Sequence, residues 1–185
     1  MRLQVREKSG NKLKKNRIKI GILGGSFNPA HKGHLFISKE AKKIFNLKYI
    51  IWAITKKNPF KKESTNKIKS RIEFSKKIVR SNRFIKVRFY EDKIKSDKSI
   101  DLINYIKKNK KLEIYFIIGA DNLINFHKWE KWKSISKKSK ILVFDRQGYK
   151  SKSLKSIAYK QLGNKYLTFI KSKKINISSS QLRKV

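Results

Sequence analysis

Gly24-Gly25-Ser26-Phe27-Asn28-Pro29-Ala30-His31-Lys32-Gly33-His34 concentrates the chemistry of this chain. Glycines at positions 24 and 25 let a backbone approach a ligand closely and adopt positive φ where a turn requires it. His31 and His34 stand three apart around Gly33, a spacing that lets both rings face one ligand. Two of the three histidines of the whole chain fall in this stretch. Read as metal ligands they lack company, because the chain has no cysteine and no carboxylate is close by. Read as phosphate ligands they are well placed. A helix opening near Gly33 aims free N–H groups and the positive end of its dipole at an anion. The competing reading is a plain tight turn after a strand.

Positioning such a loop takes a strand before it and a helix after it. Ile18-Lys19-Ile20-Gly21-Ile22-Leu23 has the composition of a buried strand, and Leu35, Ile37, Ala41, Ile44 and Phe45 mark one face of a helix. Further strands are predicted at 48–54, 84–89, 114–118, 141–144 and 166–170. Helices are predicted after Ser64 or Thr65 as N-cap, with Ile68, Ile72, Phe74, Ile78 and Val79 on one face, and over 99–109. The charged link 90–98 and the lysine- and serine-rich stretch before 166 carry no predicted element. The aromatic segment Phe126, His127, Trp129 and Trp132 is read as helical, and Ser178 as the cap of a closing helix start. Alternating strands and helices imply an α/β fold, a Rossmann-like doubly wound parallel sheet forming one domain over 18–185. Residues 1–17 read as a flexible basic tail. Ligands in such a fold bind beyond the carboxyl ends of the strands. Gly24–His34, Asn58–Lys61, Gly119–Asp121 and Arg146 all lie at such ends, so one crevice is expected.

Composition sets the outer bounds. The chain of 185 residues is long enough to bury a core, and without cysteine it has no disulfide, thiolate or cysteine-ligated metal chemistry. It has no apolar run of spanning length and no secretory leader, so no membrane role and a cytoplasmic location are expected. The formal charge is +38, from 50 Lys and Arg against 12 Asp and Glu. That invites a nucleic-acid reading. The lysines are spread through every segment, and Lys, Asn, Ile, Phe and Tyr rise together as an A/T-rich coding sequence would make them. Nucleic acid is therefore expected to bind only nonspecifically. A dedicated RNA-associated protein with a vestigial histidine loop is the rival reading, and it predicts no ATP turnover.

The loop resembles the G-x-F-x-P-x-H-x-G-H signature of the nucleotidylyltransferase superfamily, complete from Gly25 to His34. From about Ile18 to Arg183 the chain is similar to the bacterial nicotinate-nucleotide adenylyltransferases. Asn28-Pro29 with His31 fits that family, whereas the phosphopantetheine enzymes usually carry Thr at the first histidine. Asn58-Pro59-Phe60-Lys61 followed by Arg71 resembles it too, as do Ile118-Gly119-Ala120-Asp121-Asn122-Leu123 and Phe126-His127-Lys128-Trp129. Ile177-Ser178-Ser179-Ser180-Gln181-Leu182-Arg183 is similar to the family's closing I-S-S-T-x-I-R motif.

The resemblance implies adenylyl transfer from ATP to nicotinate mononucleotide, giving deamido-NAD and pyrophosphate, with Mg²⁺ accompanying ATP. Acceptors of the same fold family, nicotinamide mononucleotide or phosphopantetheine, are the alternative. Catalysis would fall to His31, His34, Lys61 and Arg183. ATP would meet Gly24, Gly25, Ser26, Phe27, His31, Gly33, His34, Gly119, Asp121, Arg146, Ser178, Ser179 and Arg183. The mononucleotide would meet Asn28, Lys61, Ser99, Asp121 and Trp129. Read from the residues alone, Trp129 is either a stacking surface for a pyridine ring or core, and Asp121 either a ribose acceptor or a helix cap. Lys98-Ser99-Ile100-Asp101-Leu102 departs from the family's Tyr-Thr-x-Asp-Thr, which weakens the expectation for Ser99 as the carboxylate contact. Many relatives continue past Arg183 with another helix, so that face is expected to be open or packed on a partner, and a homo-oligomer stays open.

Overall fold

The computed structural model describes residues 17–56 and 67–171. Six strands form a single parallel sheet: β1 (Ile18–Gly25), β2 (Tyr49–Ile54), β3 (Ile85–Phe89), β4 (Leu112–Gly119), β5 (Lys140–Phe144) and β6 (Leu167–Ile170). Their order is β3-β2-β1-β4-β5-β6. The chain winds outward from β1 to β3, crosses back to β4, and winds outward again. The crevice where this reversal occurs lies between the carboxyl ends of β1 and β4, where ligands of open α/β sheets bind. The expected doubly wound sheet is the observed one.

The inner strands β2 and β4 are apolar on both faces because helices cover both, whereas the edge strand β3 alternates, with Lys86 and Arg88 exposed. On one face, α1 (Lys32–Phe45) and α2 (Ile68–Ile78) seal a core that includes Leu23, Ile50, Trp52, Val87 and Ile117. On the other, Ile20, Ile22, Ile114, Phe116 and Ile118 pack with side chains from α4 (Ser99–Lys107), α5 (Ala120–Asn125), α6 (Trp132–Lys138) and α8 (Ile157–Tyr166). Two short helices complete the set, α3 (Glu91–Ile94) and α7 (Lys150–Leu154).

Several expectations need correction. The link 90–98 contains α3, held too briefly to leave a periodic signal. The lysine- and serine-rich stretch contains α7 and α8, the latter capped by Ser156, which accepts from the Tyr159 amide. Only Ala158 and Leu162 of α8 are buried, so two apolar positions carry the helix and the surrounding lysines obscure them. Helix α2 begins at Ile68 with Lys67 at its N-cap, so neither Ser64 nor Thr65 caps it. The aromatic segment is a 3₁₀ turn, Phe126–Lys128, followed by Trp129 in extended backbone and then α6.

Gly21 sits mid-strand in β1, between Ile50 of β2 and Tyr115 of β4. A Cβ there would lie 2.9 Å from Ile50 Cγ1 and 3.1 Å from both Ile117 Cδ1 and Leu47 Cδ1. The neighbours fill the space that a side chain would need. Gly21→Val should therefore lower the unfolding free energy by about 1–3 kcal/mol, read as an earlier denaturant midpoint at unchanged slope.

Candidate active site

Strand β1 ends in Gly24 and Gly25, and the chain turns over the sheet edge before entering α1. Gly24 is exposed, and a Cβ on it would meet nothing within 4 Å, so open space lies above it. The left-handed turn falls elsewhere than expected: neither glycine has positive φ, and Phe27 does, at 45°. Phe27 accepts that backbone because its ring is buried, stacked on Trp52 with centroids 4.9 Å apart and tilted against His34 at 4.7 Å. The peptide between Asn28 and Pro29 is cis, and Asn28 is buried.

The two histidines cap α1 reciprocally. His31 is the N-cap, and its Nδ1 accepts from the Gly33 amide at 3.1 Å. His34 at the third helical position accepts from the His31 amide through its own Nδ1, at 3.2 Å. A capping box normally uses Ser or Thr with Glu or Gln. Here two imidazoles do the same work, with ring centroids 3.9 Å apart. Because each Nδ1 accepts a backbone hydrogen, the neutral ring carries its proton on Nε2. Each Nε2–H is thus a donor at the positive end of a 14-residue helix. One turn further in, the Ser38 hydroxyl donates to the His34 carbonyl at 2.8 Å and accepts from the buried Trp52 Nε1 at 2.8 Å. That chain fixes the helix start to the sheet.

Across the crevice, β4 ends at Gly119 and α5 begins. A Cβ on Gly119 would overlap the Asp121 carboxylate, which would have to move to admit it. Arg146, past the end of β5, donates through Nη1 to Asp121 Oδ2 at 2.5 Å. The Asp145 carboxylate accepts from the Arg146 amide at 2.8 Å, and the guanidinium lies 5.5 Å from the Tyr149 ring centre. Two residues expected to act separately are therefore one ion pair.

Trp129 packs edge-on to Phe116 at 6.1 Å and tilted to Phe126 at 5.3 Å, while Trp132 meets Phe126 at 6.0 Å. Trp129 is half-buried, and among the described residues its Nε1–H has no acceptor. The alternatives of core and ligand surface are thus not exclusive: one part of the ring packs on the core and part remains accessible. Ser99 opens α4 on the same side of the sheet as Trp129, and nothing in the described geometry ties it to the histidine loop. Lys61, Ser178, Ser179 and Arg183 lie outside the described residues, as do Asn58-Pro59-Phe60 and the rest of the closing motif. Among the described residues, no group of three or more His, Asp or Glu side chains forms a metal site. In the sequence, Arg71 is marked only by the family resemblance. Its buried guanidinium donates to the Ser26 carbonyl at 2.6 Å, directly beneath the loop.

Comparison with known proteins bears on the family and the fold. Residues 22–185 match the family model described as cytidylyltransferase-like. A Pelagibacter ubique protein named "Probable nicotinate-nucleotide adenylyltransferase" is 66% identical over 178 residues, covering 96% of this chain and 99% of that protein. A Brucella suis protein of the same name is 30% identical over 185 residues, covering 90% of this chain and 94% of that protein. Among solved structures, Plasmodium falciparum nicotinic acid mononucleotide adenylyltransferase complexed with NaAD superposes with a TM-score of 0.68 at 19% identity, over 90% of this chain and 82% of that one. A Vibrio parahaemolyticus structure described as a putative nicotinate-nucleotide adenylyltransferase gives 0.62 at 16% identity, over 90% and 84%.

The Ser38 relay has a measurable weight. Ser38→Ala leaves the Trp52 indole N–H buried without its acceptor, which should cost about 1–3 kcal/mol in equilibrium unfolding. A loss below roughly 0.5 kcal/mol would mean that water or a shift of the ring replaces the hydroxyl.

Proposed function

The chain belongs to the cytidylyltransferase-like family, and we propose that within it the chain transfers the adenylyl group of ATP to nicotinate mononucleotide. The products are nicotinate adenine dinucleotide and pyrophosphate, a step of NAD biosynthesis. The names of the relatives support the choice of acceptor. The observation that carries the chemistry is the reciprocal imidazole cap, which presents two Nε2–H donors at a helix N-terminus beside the switch point of the sheet.

An oxygen of the mononucleotide phosphate attacks the α-phosphorus of ATP in line. The bond from that phosphorus to the bridging oxygen breaks, and pyrophosphate departs with the electron pair. The attacking phosphate is already ionised, so no base is required, and catalysis reduces to positioning and charge stabilisation. His31 and His34 donate from Nε2 to the α- and β-phosphate oxygens. The amides at the start of α1, with Gly33 among them, add partial positive charge. Gly24, Gly25 and Ser26 supply a backbone rim that the nucleotide approaches closely, and the buried Phe27 supports it from beneath. MgATP is the substrate form, the ion arriving on the triphosphate. The charge of +38 favours capture of both anionic substrates.

On the acceptor side, Trp129 offers a face to the pyridine ring, and the buried Asn28 is assigned to the mononucleotide on motif resemblance. Asp121 accepts from a ribose hydroxyl, oriented by its pairing with Arg146, while Gly119 keeps the space beside it clear. Ser99 is the proposed contact for the nicotinate carboxylate. Lys61, Ser178, Ser179 and Arg183 are assigned to the phosphates on motif resemblance.

Pyrophosphate release from MgATP with each mononucleotide tests the reading. Turnover with nicotinate mononucleotide is expected, and His34→Ala should lower kcat by about a hundredfold or more. A preference for nicotinamide mononucleotide would overturn the assigned acceptor and keep the mechanism. No turnover with any mononucleotide or with phosphopantetheine would overturn the enzyme assignment.

A further inference from the structure

Arg71 lies on α2, away from the crevice surface, with 4% of its area exposed. Its Nη1 donates to the Ser26 carbonyl at 2.6 Å and to the Thr55 carbonyl at 2.7 Å. Its Nη2 donates to the Lys56 carbonyl at 3.1 Å. Ser26 belongs to the turn after β1, and Thr55 and Lys56 to the chain just past β2. One guanidinium thus holds two neighbouring strand ends. The Thr55 amide adds a second tie between them, donating to the Gly25 carbonyl at 2.9 Å.

The Lys56 peptide is held from both sides. Arg71 takes its carbonyl, and Glu91 of α3 accepts its N–H through Oε2 at 3.0 Å. Burial lowers the Arg71 pKa from its ordinary value, and the negative charge of Glu91 acts against that. Burying a guanidinium is costly, and an apolar residue facing this core would avoid the cost. Stability alone therefore gives little reason for an arginine here. Geometry gives a better one, because a planar fork reaches several carbonyls from different loops at fixed angles.

Resting on the transfer reading above, we infer that Arg71, with Glu91 behind it, is a positioning residue for the reaction. It sets the height of the turn from Ser26 to His31 against the end of β2. The imidazoles assigned to the phosphates begin five residues after Ser26, and the buried Phe27 ring, stacked on Trp52, anchors the turn between. A shift at the Ser26 carbonyl is passed on to His31. Arg71 itself touches no substrate.

The test combines amide hydrogen exchange and steady-state kinetics on the full chain, for wild type, Arg71→Lys, Glu91→Ala and Glu91→Gln. Lysine keeps the charge and replaces the fork by a single nitrogen. In Arg71→Lys the Thr55 and Lys56 amides should exchange about tenfold faster, while the β4 amides from Ile114 to Ile118 keep their rates. At temperatures where the variant stays folded, kcat should fall about tenfold or more, with both KM values within about threefold. Glu91→Ala should reproduce the faster exchange at Lys56, and Glu91→Gln, which keeps an oxygen for that amide, should reverse it. If Arg71→Lys does not fold, the two Glu91 variants decide by the same readouts. Unchanged exchange at Thr55 and Lys56, a rise shared with β4, or an unchanged kcat beside faster local exchange would each overturn the inference. Wild type inactive with every acceptor would sink the transfer reading, and the exchange comparison would still decide whether Arg71 holds the two strand ends.

Discussion

Two backbone amides at the start of α1, those of His31 and Gly33, need acceptors, and imidazole nitrogens meet that need. This constraint does structural and chemical work together. A helix N-terminus leaves several N–H groups without intrahelical partners, and a side chain usually satisfies some of them. By using Nδ1 atoms for this purpose, the protein holds both rings in register and sets the tautomer that leaves Nε2 as the donor. The rest of the loop serves that arrangement. Phe27 bends the chain and anchors it on Trp52, and Trp52 reaches through Ser38 to the carbonyl of His34.

The sheet gives this cap its place. β1 lies between β2 and β4, and the winding direction of the chain reverses there. Close lateral packing at Gly21 brings Ile50 and Ile117 together over the strand and leaves no room for a side chain. The strand ends converge on the crevice from both halves. β1 brings the imidazoles, β4 brings Asp121, and the chain after β5 brings Arg146 to meet it. Beneath the rim, Arg71 joins the first two strand ends. Polar groups here are paired across elements. In the core on either side, apolar contacts carry the packing.

The apolar runs 18–23, 48–54 and 114–118 specified strands by composition alone, because a strand covered on both faces must be apolar throughout. The spacing of His31, Gly33 and His34 marked a helix opening with two rings on one side, and the structure added that the rings cap that helix reciprocally. Helix α8 was hidden because only two buried positions define it. Trp129 was misplaced on a helix because spacing cannot register the extended residue between the 3₁₀ turn and α6.

What the sequence determined by itself were the features written in short-range order: the alternation of strands and helices, the parallel sheet, the histidine loop and its family resemblance. Only the tertiary structure decided which polar residues act together. Asp121 and Arg146 are separated by 25 residues, and Arg71 and Ser26 by 45. Such partners are chosen by sheet order and by the angle at which helices cross it, and a single sequence carries no periodic trace of either. The same holds for the positive φ at Phe27. Two glycines were available nearby, and burial of the aromatic ring against Trp52 placed the turn two residues beyond them.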